Sequence, residues 1–366
     1  MRGPVLERWV ERRGRQLDEA YCGQIVRSLA APLKPAPSFT APGALRQILV
    51  IADCLWEHNS LVPELARIAA TSTLDLRPLL KKKPRGQSEA ELLVEAVERL
   101  PRAEPKLSPD VILLYARPTL LSEAVFACVR RKWHCPLFGM NLDDKLQFFP
   151  LGVLAEGNDD YAHWAGKFDL NLTSCLPATD WYRQRGHACL YVPPGVHQPP
   201  GLAPPRDTSF QYQFSFVGAK RIERLAIVER IRSEGISIQL FGQGWPASRW
   251  VENLNAVYRR SQLNLGIGFP TPSATLTNLK GRDFECPGAG ACYLTTYNWE
   301  LPLHFDLGKE ILCYRSVEEL IELYAYYHRR PEECLKIAQA AWRRCAAGHT
   351  WERRFRKVFR EAGFKV

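Results

Sequence analysis

The sequence predicts an α/β fold with two Rossmann-like domains that face each other across a cleft. Short apolar runs alternate with helical segments along the chain, which is the pattern of parallel strands covered by helices on both faces. The alternation stops once, at a proline-rich stretch over residues 191–207, and then restarts. The chain has 366 residues, which is too long for one ordinary core and suits two domains of about 150 residues each.

The apolar runs are expected to form the strands of two sheets. In the first half they cover residues 47–52, 110–115, 136–140, 168–173 and 189–192, with a helix over residues 60–70. In the second half they cover residues 214–217, 236–241, 263–267, 291–294 and 309–314. We therefore expect an N-terminal domain over residues 46–195 and a C-terminal domain over residues 208–346, joined by a stiff connector.

Several helix ends are also marked in the second half. Gly235 is expected to stop a helix whose apolar face begins at Ile222. Ser316 and Glu319 have the spacing of a capping box, and Pro331 is expected to open the next helix.

Residues 1–45 are expected to form a basic amphipathic helix followed by a spacer. Val5, Trp9, Leu17 and Ile25 supply the apolar positions, and the prolines after them end any helix before Leu45. A helix packed on the body of the fold is favoured over an arm that binds a membrane surface or a partner.

Composition indicates a globular protein of the cytoplasm. The residues are 46% apolar and 24% charged, no run of about 18 apolar residues exists, and charges interrupt the place where a signal peptide needs its apolar core. Eleven cysteines are scattered without the spacing of a metal site, so we expect reduced thiols and no metal. The net charge of +10 is compatible with nucleic acid, phosphorylated substrates, or peripheral contact with the anionic inner face of a membrane.

The stretch over residues 279–297 is the strongest candidate for a binding site. Lys280 and Arg282 are followed by Glu285, which lies next to Phe284 in the sequence. Gly288 and Gly290 then precede an apolar run, so we expect a charged loop, a tight glycine turn and a buried strand. Cations for phosphate, a carboxylate for sugar hydroxyls and glycines for close backbone approach suit a nucleotide sugar. The alternative is an ordinary surface loop.

Two other predicted strands end in similar loops. Gly218 is followed by Lys220 and Arg221, with Arg224 as a further cation, and this loop is expected to hold a diphosphate. Gly242 and Trp245 follow the next strand. Trp245 is expected to lie against a base or cover a pocket edge, with a core position as the alternative.

These segments carry a family resemblance. The runs FSFVGAKRIERLAIVERI, ISIQLFGQGW, LKGRDFECPGAGACYLT, GKEILCYRSVEELIELYAYY and AGHTWERRF resemble the CgeB-type (spore-maturation-like) glycosyltransferases over nearly all of residues 166–356. The resemblance implies a bacterial enzyme of GT-B fold that needs no metal ion or other cofactor. It also implies that the C-terminal domain binds the nucleotide sugar, and that residues 347–366 form a helix packing back on the N-terminal, acceptor domain.

The resemblance also implies residue roles. Glu285 matches the glutamate that binds the donor ribose in retaining GT-B relatives, and Lys280 and Arg282 match the cationic side of the motif. Those relatives often have a second glutamate where this chain has Thr277, so the stereochemical course stays open.

An inverting enzyme also needs a base that takes the proton of the acceptor. The candidates are Asp53, His58, Asp143 and Asp144, and the acceptor itself is unknown. A non-catalytic protein that binds a nucleotide sugar is one alternative. A binder of single-stranded nucleic acid is another, favoured by the charge and ten tryptophans and disfavoured by the absence of a nucleic-acid motif.

Overall fold

The computed structural model contains two compact units. Of the described residues, the first unit comprises 43–193 and 351–366, and the second comprises 194–350. The predicted N-terminal helix and Asp53 lie outside the described residues. The structure describes residues 43–52, 57–148, 161–199, 201–205, 207–245, 253–268 and 277–366.

A parallel sheet of six strands, in the order β2-β1-β3-β4-β5-β6, forms the centre of the first unit. Its strands are β1 (Gln47–Ala52), β2 (Ala70–Asp75), β3 (Val111–Tyr115), β4 (Leu137–Asn141), β5 (Leu170–Thr173) and β6 (Cys189–Tyr191). Its helices before residue 193 are α1 (Val62–Leu65), α2 (Arg77–Lys81), α3 (Glu89–Ala103), α4 (Glu123–Lys132), α5 (Asp144–Gln147), α6 (Tyr161–Trp164) and α7 (Ala178–Gln184). Short helical turns occur at Glu57–Leu61, Pro118–Leu120 and Ala165–Lys167.

The strand β2 was not predicted. The helix expected over residues 60–70 ends earlier, because α1 stops at Leu65 and Ala70 already belongs to β2. β2 has the sequence ATSTLD and pairs only with β1, at the edge of the sheet, where none of its residues is fully buried. An edge strand does not need the continuous apolar run by which a central strand such as β1 is recognised.

The second unit is built around a parallel sheet of five strands in the order β11-β10-β9-β7-β8. Its strands are β7 (Tyr212–Val217), β8 (Gln239–Phe241), β9 (Ser261–Leu265), β10 (Tyr293–Thr296) and β11 (Leu312–Tyr314). Its helices are α8 (Ile222–Ser233), α9 (Leu254–Arg259), α10 (Arg282–Ala289), α11 (Val317–His328) and α12 (Pro331–Gly348), with a helical turn at Leu301–Leu303. In each sheet the strands run the same way, so their carboxyl ends share one edge, which we call the carboxyl edge.

The helix ends follow the local sequence signals. Gly235 takes a left-handed conformation with φ of 75° just after α8, and Pro331 is the first residue of α12. The Ser316 hydroxyl accepts from the Glu319 backbone N–H at 3.1 Å. The Glu319 carboxylate, however, accepts from the N–H of Arg315, so the predicted capping box is only half formed.

The C-terminal helix belongs to the first unit, as the resemblance implied. The helix α13 (Trp351–Glu361) buries Trp351, Phe355, Val358 and Phe359 in the same core as β1. The indole N–H of Trp351 donates to the Ser60 hydroxyl at 3.1 Å. None of the described helices has the length and apolar character that a membrane crossing requires.

Candidate functional site

The loops after β7 and β8 are bound to each other at the carboxyl edge of the second sheet. The Gly218 N–H donates to the Phe241 carbonyl at 2.8 Å, and the Lys220 N–H donates to the Gln243 carbonyl at 2.8 Å. Gly242 has φ of 118°, and a Cβ atom there would lie 2.6 Å from the Gly218 carbonyl oxygen. Only glycine fits at residue 242, because backbone on the facing loop cannot move aside.

Trp245 braces these loops from inside. Its indole N–H donates to the Gly218 carbonyl at 2.8 Å, and its ring packs edge-on against Phe216. The side chain is only 5% exposed and belongs to the core of the second unit. The structure therefore favours the core position over the expected contact with a base.

Residues 282–289 form the helix α10, so the charged loop predicted there is wrong. The Asp283 carboxylate fixes the start of the helix by accepting from the Lys280 N–H at 2.8 Å and from the Tyr293 hydroxyl at 3.1 Å. At the other end Gly290, with φ of 80°, provides the left-handed stop. The density of glycine and proline in this stretch had favoured a loop, whereas capping by Asp283 and Gly290 makes a short helix possible.

The helix α10 separates the predicted donor residues into two groups. Eight residues of helix span about 12 Å, so its two ends are well apart. Its start lies at the carboxyl edge, and its end leads into the beginning of β10. A Cβ at Gly288 would meet Val196 at 2.6 Å, and one at Gly290 would meet Pro205 at 2.7 Å. Both glycines thus serve close packing of the helix end, away from the strand-end loops.

Phe284 likewise points into the core. It is fully buried and packs against Phe305 and the rings of His304 and His349. We assign it a structural role, in place of the predicted contact with the donor.

Arg282 and Arg224 come together at the carboxyl edge. The guanidinium of Arg282 donates to the Ile267 carbonyl at 3.2 Å and lies 5.4 Å from the centre of the Phe216 ring. The guanidinium of Arg224, from α8, lies 5.7 Å from the same ring and donates to the Ala219 carbonyl at 2.8 Å. Burial, and then the nearby charge of Arg282, lower the pKa of Arg224 to about 9.

The Nε–H donors of both guanidiniums are unused within the part of the chain that the structure describes, because each is buried and has no hydrogen-bond acceptor there. Burial acts to lower the pKa of Arg282, but it is outweighed by nearby groups that raise this pKa, namely those of Tyr293, Tyr258, Asp283 and Glu285. No described carboxylate forms an ion pair with Arg224 or Arg282. Two adjacent cations, Arg224 buried and Arg282 half-buried, with unused donors are suited to bind an anion.

Glu285 lies one turn along α10 from Arg282 and is half-buried. Its Oε1 atom would be 3.1 Å from a Cβ on Gly281, so the carboxylate lies over the start of the helix. Burial raises the pKa of Glu285, and the positive charge of Arg282 opposes this shift. Within the described chain the carboxylate accepts no hydrogen bond. Nearby on α9, the hydroxyl of Tyr258 is fully buried and also has no partner among the described residues.

The remaining predicted cations lie beside this pair along the chain. Lys220 and Arg221 are exposed and follow directly after the Gly218 loop. Lys280 is half-buried and precedes α10 by two residues.

The candidate bases of the first unit differ in their surroundings. Asp144 is fully buried and accepts from the Asn141 amide at 2.8 Å, from the Tyr182 hydroxyl at 3.1 Å and from the Thr173 hydroxyl. Burial raises the pKa of Asp144 to about 7. The neighbouring Asp143 is half-buried at the end of β4. An enclosed carboxylate such as Asp144 braces its strand ends and cannot reach an acceptor.

His58 lies at the carboxyl edge of the first sheet, just after β1. Its Nε2 atom is 3.6 Å from Oδ1 of Asp75, the last residue of β2. Asp75 was not recognised in the sequence, because the strand that ends with it was not predicted.

Comparison with known proteins identifies the class of this fold. Residues 221–360 match the family described as "Glycosyl transferase-like". No curated protein sequence matches the chain.

Solved structures resemble the chain over most of its length. Sucrose-phosphate synthase from Thermosynechococcus elongatus superimposes with a TM-score of 0.58 at 12% identity, covering 86% of this chain and 98% of that one. HepE from Anabaena, in complex with UDP and glucose, gives a TM-score of 0.58 at 11% identity, with 86% and 98% covered. A UDP-N-acetylglucosamine 2-epimerase gives 0.50 at 14% identity, with 88% and 98% covered.

These similarities confirm the predicted GT-B architecture of two parallel sheets with helices. The fold is shared by transferases and an epimerase, so the fold alone does not name the reaction. The family match confirms the predicted class, glycosyltransferase, for residues 221–360, which include Arg224, Arg282 and Glu285.

Proposed function

We propose that this glycosyltransferase-like chain of GT-B fold transfers a sugar from a nucleoside-diphosphate sugar to an acceptor without a metal ion. We place it among the bacterial CgeB-type enzymes, on the segments that carry that resemblance. The donor binds in the second unit, at the carboxyl edge of its sheet. The observation that carries the proposal is the pair of guanidiniums, Arg224 and Arg282, whose buried Nε–H groups have no acceptor among the described residues.

A diphosphate would accept hydrogen bonds from this pair of guanidiniums and neutralise their charge, whereas a neutral ligand would leave the charge uncompensated. Each guanidinium has fixed N–H donors that match phosphate oxygens, and a buried cation gains most from a fully charged partner. Lys220 and Arg221 follow the same loop and add positive charge at its exposed side. We assign Lys280, two residues before α10, to the same anion.

Glu285 completes the donor site. A half-buried carboxylate with no partner in the described chain is suited to accept from two neighbouring hydroxyls, such as those of a ribose. The resemblance assigns this role to the same residue.

The cations also supply the chemistry. As the bond between the sugar and the diphosphate breaks, negative charge builds up on the leaving oxygen. Guanidiniums already held in place by Phe216, Ala219 and Ile267 stabilise that charge without reorganising. A divalent ion is unnecessary where fixed cations neutralise the diphosphate.

The first unit binds the acceptor in this proposal. The chain works in the cytoplasm, and its net charge of +10 suits peripheral contact with an anionic membrane face. The acceptor is a surface glycan, a lipid-linked glycan, a protein or a small metabolite.

Calorimetric titration with UDP, GDP, ADP and uridine tests the donor site. At least one nucleoside diphosphate should bind with a Kd of about 100 μM or lower, and the nucleoside alone at least ~100-fold more weakly, because the diphosphate provides most of the contacts. Arg224→Met should weaken diphosphate binding at least ~10-fold. The matched control is Arg232→Met, an exposed arginine two turns further along α8, which should bind like the wild type.

Absence of diphosphate binding, or equal binding of UDP and uridine, would contradict the donor site. The enzymatic part is tested by incubating the protein with UDP-glucose, UDP-N-acetylglucosamine, UDP-galactose and GDP-mannose in water and in sodium azide. A protein that binds these donors and releases no nucleoside diphosphate would be a binder and not a transferase.

The release of nucleoside diphosphate should not depend on metal ions. We expect the rate in excess EDTA to stay within twofold of the rate in buffer, since arginine and lysine side chains neutralise the leaving group. Loss of activity in EDTA, restored by manganese, would overturn the metal-independent mechanism.

A further inference from the structure

Two cysteines of the second unit line one cavity at the amino edge of its sheet, which is the edge opposite the carboxyl edge. Cys292 directly precedes β10, and Cys334 is the fourth residue of α12. We propose that these two cysteines are a modification site, at which hydrogen peroxide converts the two thiols into a reversible disulfide. This site is distinct from the proposed donor site, which lies at the carboxyl edge.

The two thiol groups are in direct contact. The S–H of Cys292 donates a hydrogen bond to the sulfur of Cys334. Both side chains belong to the apolar core of the second unit, with 2% and 0% exposure. Cysteines whose side chains point apart cannot be bridged without movement of the backbone. The contact between these two sulfurs therefore meets the first requirement for a disulfide between the start of β10 and α12.

Cys334 is held by polar neighbours on two other elements. Its S–H donates to the Tyr327 carbonyl at 3.5 Å, and the side-chain amide of Gln262 lies 3.9 Å from its sulfur. That amide is anchored, because it also donates to the Tyr327 carbonyl at 2.9 Å and to the His328 carbonyl at 3.0 Å. The hydrogen bond from Cys292, with a contribution from Gln262, outweighs burial and holds the pKa of the Cys334 thiol below its usual value.

The thiolate is the form of cysteine that reacts, so Cys334 is the member of the pair that attacks first. The hydrogen bond to Cys334 and then burial raise the pKa of Cys292 well above its usual value. Burial also raises the pKa of Cys313 to about 12 and that of Cys286 well above its usual value. Cys334 should therefore be oxidised before these other thiols of the second unit.

The cavity gives hydrogen peroxide a route to the pair. Its volume is about 430 Å³, and its lining includes Cys292, Cys334 and the first residue of β9, Ser261. Asp207, which is exposed, lines the same cavity, so the cavity opens to solvent. A water molecule takes up about 30 Å³ in the liquid, and hydrogen peroxide is only slightly larger. The oxidant thus fits beside the two sulfurs.

The reaction balances with hydrogen peroxide as the oxidant. The Cys334 thiolate attacks one peroxide oxygen, the O–O bond breaks, and the leaving hydroxide takes a proton from solvent to become water. Cys334 is then a sulfenic acid. The sulfur of Cys292 attacks it, the S–S bond forms, and the leaving hydroxyl takes the Cys292 proton to become a second water. Each sulfur is oxidised, both peroxide oxygens are reduced, and a small dithiol reverses the change by exchange.

Peptide mapping by mass spectrometry tests the site on the folded wild-type protein. After treatment with hydrogen peroxide we expect a disulfide-linked pair of peptides that contain Cys292 and Cys334, and dithiothreitol should return both as thiols. Cys334→Ser should slow the oxidation of Cys292 at least ~10-fold, because the reactive thiolate is lost. Cys292→Ser keeps a hydrogen-bond donor, so Cys334 should still react and should accumulate as a sulfenic acid that dimedone traps.

The matched control is Cys313→Ser, at a half-buried cysteine of β11 in the same unit, which should form the linkage at the wild-type rate. Recovery of the Cys292 and Cys334 peptides as free thiols from the peroxide-treated wild type would overturn the assignment. Oxidation of Cys334 to a form that dithiothreitol does not reduce would also overturn it. Both outcomes are measured on the wild type, so they do not depend on the folding of a variant. The proposed function is decided separately, by the titration with nucleoside diphosphates.

Discussion

Replacing Arg282 with methionine should lower the affinity for UDP at least ~100-fold while leaving the affinity for uridine almost unchanged. The guanidinium is half-buried at the anion site and has an Nε–H donor that no described residue uses. Removing it takes away a charge-assisted contact and leaves Arg224 as the one guanidinium of the pair beside the diphosphate, a loss of about 3 kcal/mol. Methionine keeps the length of the side chain and its packing on the Phe216 ring.

Glu285→Gln provides the comparison for this variant. If Glu285 holds the ribose, its loss weakens UDP and uridine by the same factor, so the ratio of the two affinities stays at its wild-type value. Calorimetry with UDP and competition against uridine measure the ratio of the two affinities in each variant. Urea unfolding checks that each variant is folded. Equal weakening of UDP and uridine by Arg282→Met would contradict the diphosphate role.

Replacing Asp144 with asparagine should change how stability depends on pH. Burial raises the pKa of this carboxyl from 3.8 to about 7 in the folded protein. The folded state therefore holds a proton on Asp144 where the unfolded state has lost it, so wild-type stability falls as pH rises from about 4 to about 7. Each pKa unit is worth ~1.4 kcal/mol, so the fall amounts to at most about 4 kcal/mol.

Asparagine cannot ionise and removes this dependence. The free energy of unfolding of the wild type minus that of Asp144→Asn should decrease from pH 4 to pH 8, as measured by urea titration at each pH. Burial raises the pKa values of the neighbouring Tyr161, Tyr182 and Cys189 well above their usual ones, so these groups do not titrate between pH 4 and pH 8. The control is Asp180→Asn, an exposed site that should show a nearly constant difference. A constant difference for Asp144→Asn would show that the carboxyl ionises as freely as in water.

All the described strands except β2 were predicted from the sequence, including the edge strands β6, β8 and β11. The run predicted at residues 47–52 is β1, because a strand buried on both faces must be apolar throughout. β2 lies at the sheet edge, is half-buried, and carries threonine, serine and aspartate, which resemble a loop. The helix α10 was not predicted for a different reason. Gly290 and Pro287 are typical of turns, and the capping contact of Asp283 that stabilises the helix is visible only in the structure.

The sequence predicted which strand-end loops form the candidate site, but not all the residues within it. Gly218, Gly242 and Arg282 were recognised because glycines and cations placed directly after strands are typical of loops that bind anions. Gly288 and Gly290 were assigned to the donor because glycines allow close backbone approach, but in the structure they pack against Val196 and Pro205. Phe284, adjacent to Glu285 in the sequence, is buried in the core. Arg224 was named from the sequence as a further cation, but its place beside Arg282 on the shared Phe216 ring is a contact that no sequence pattern displays.

The helix α13 has a consequence for biosynthesis. It fills part of the core of the first unit with Trp351, Phe355 and Phe359, although it is made after the entire second unit. Domains usually fold in the order in which they leave the ribosome. Here the N-terminal sheet keeps an open apolar groove until residues 351–366 have been synthesised, and residues 194–350 of the second unit are all made before that point.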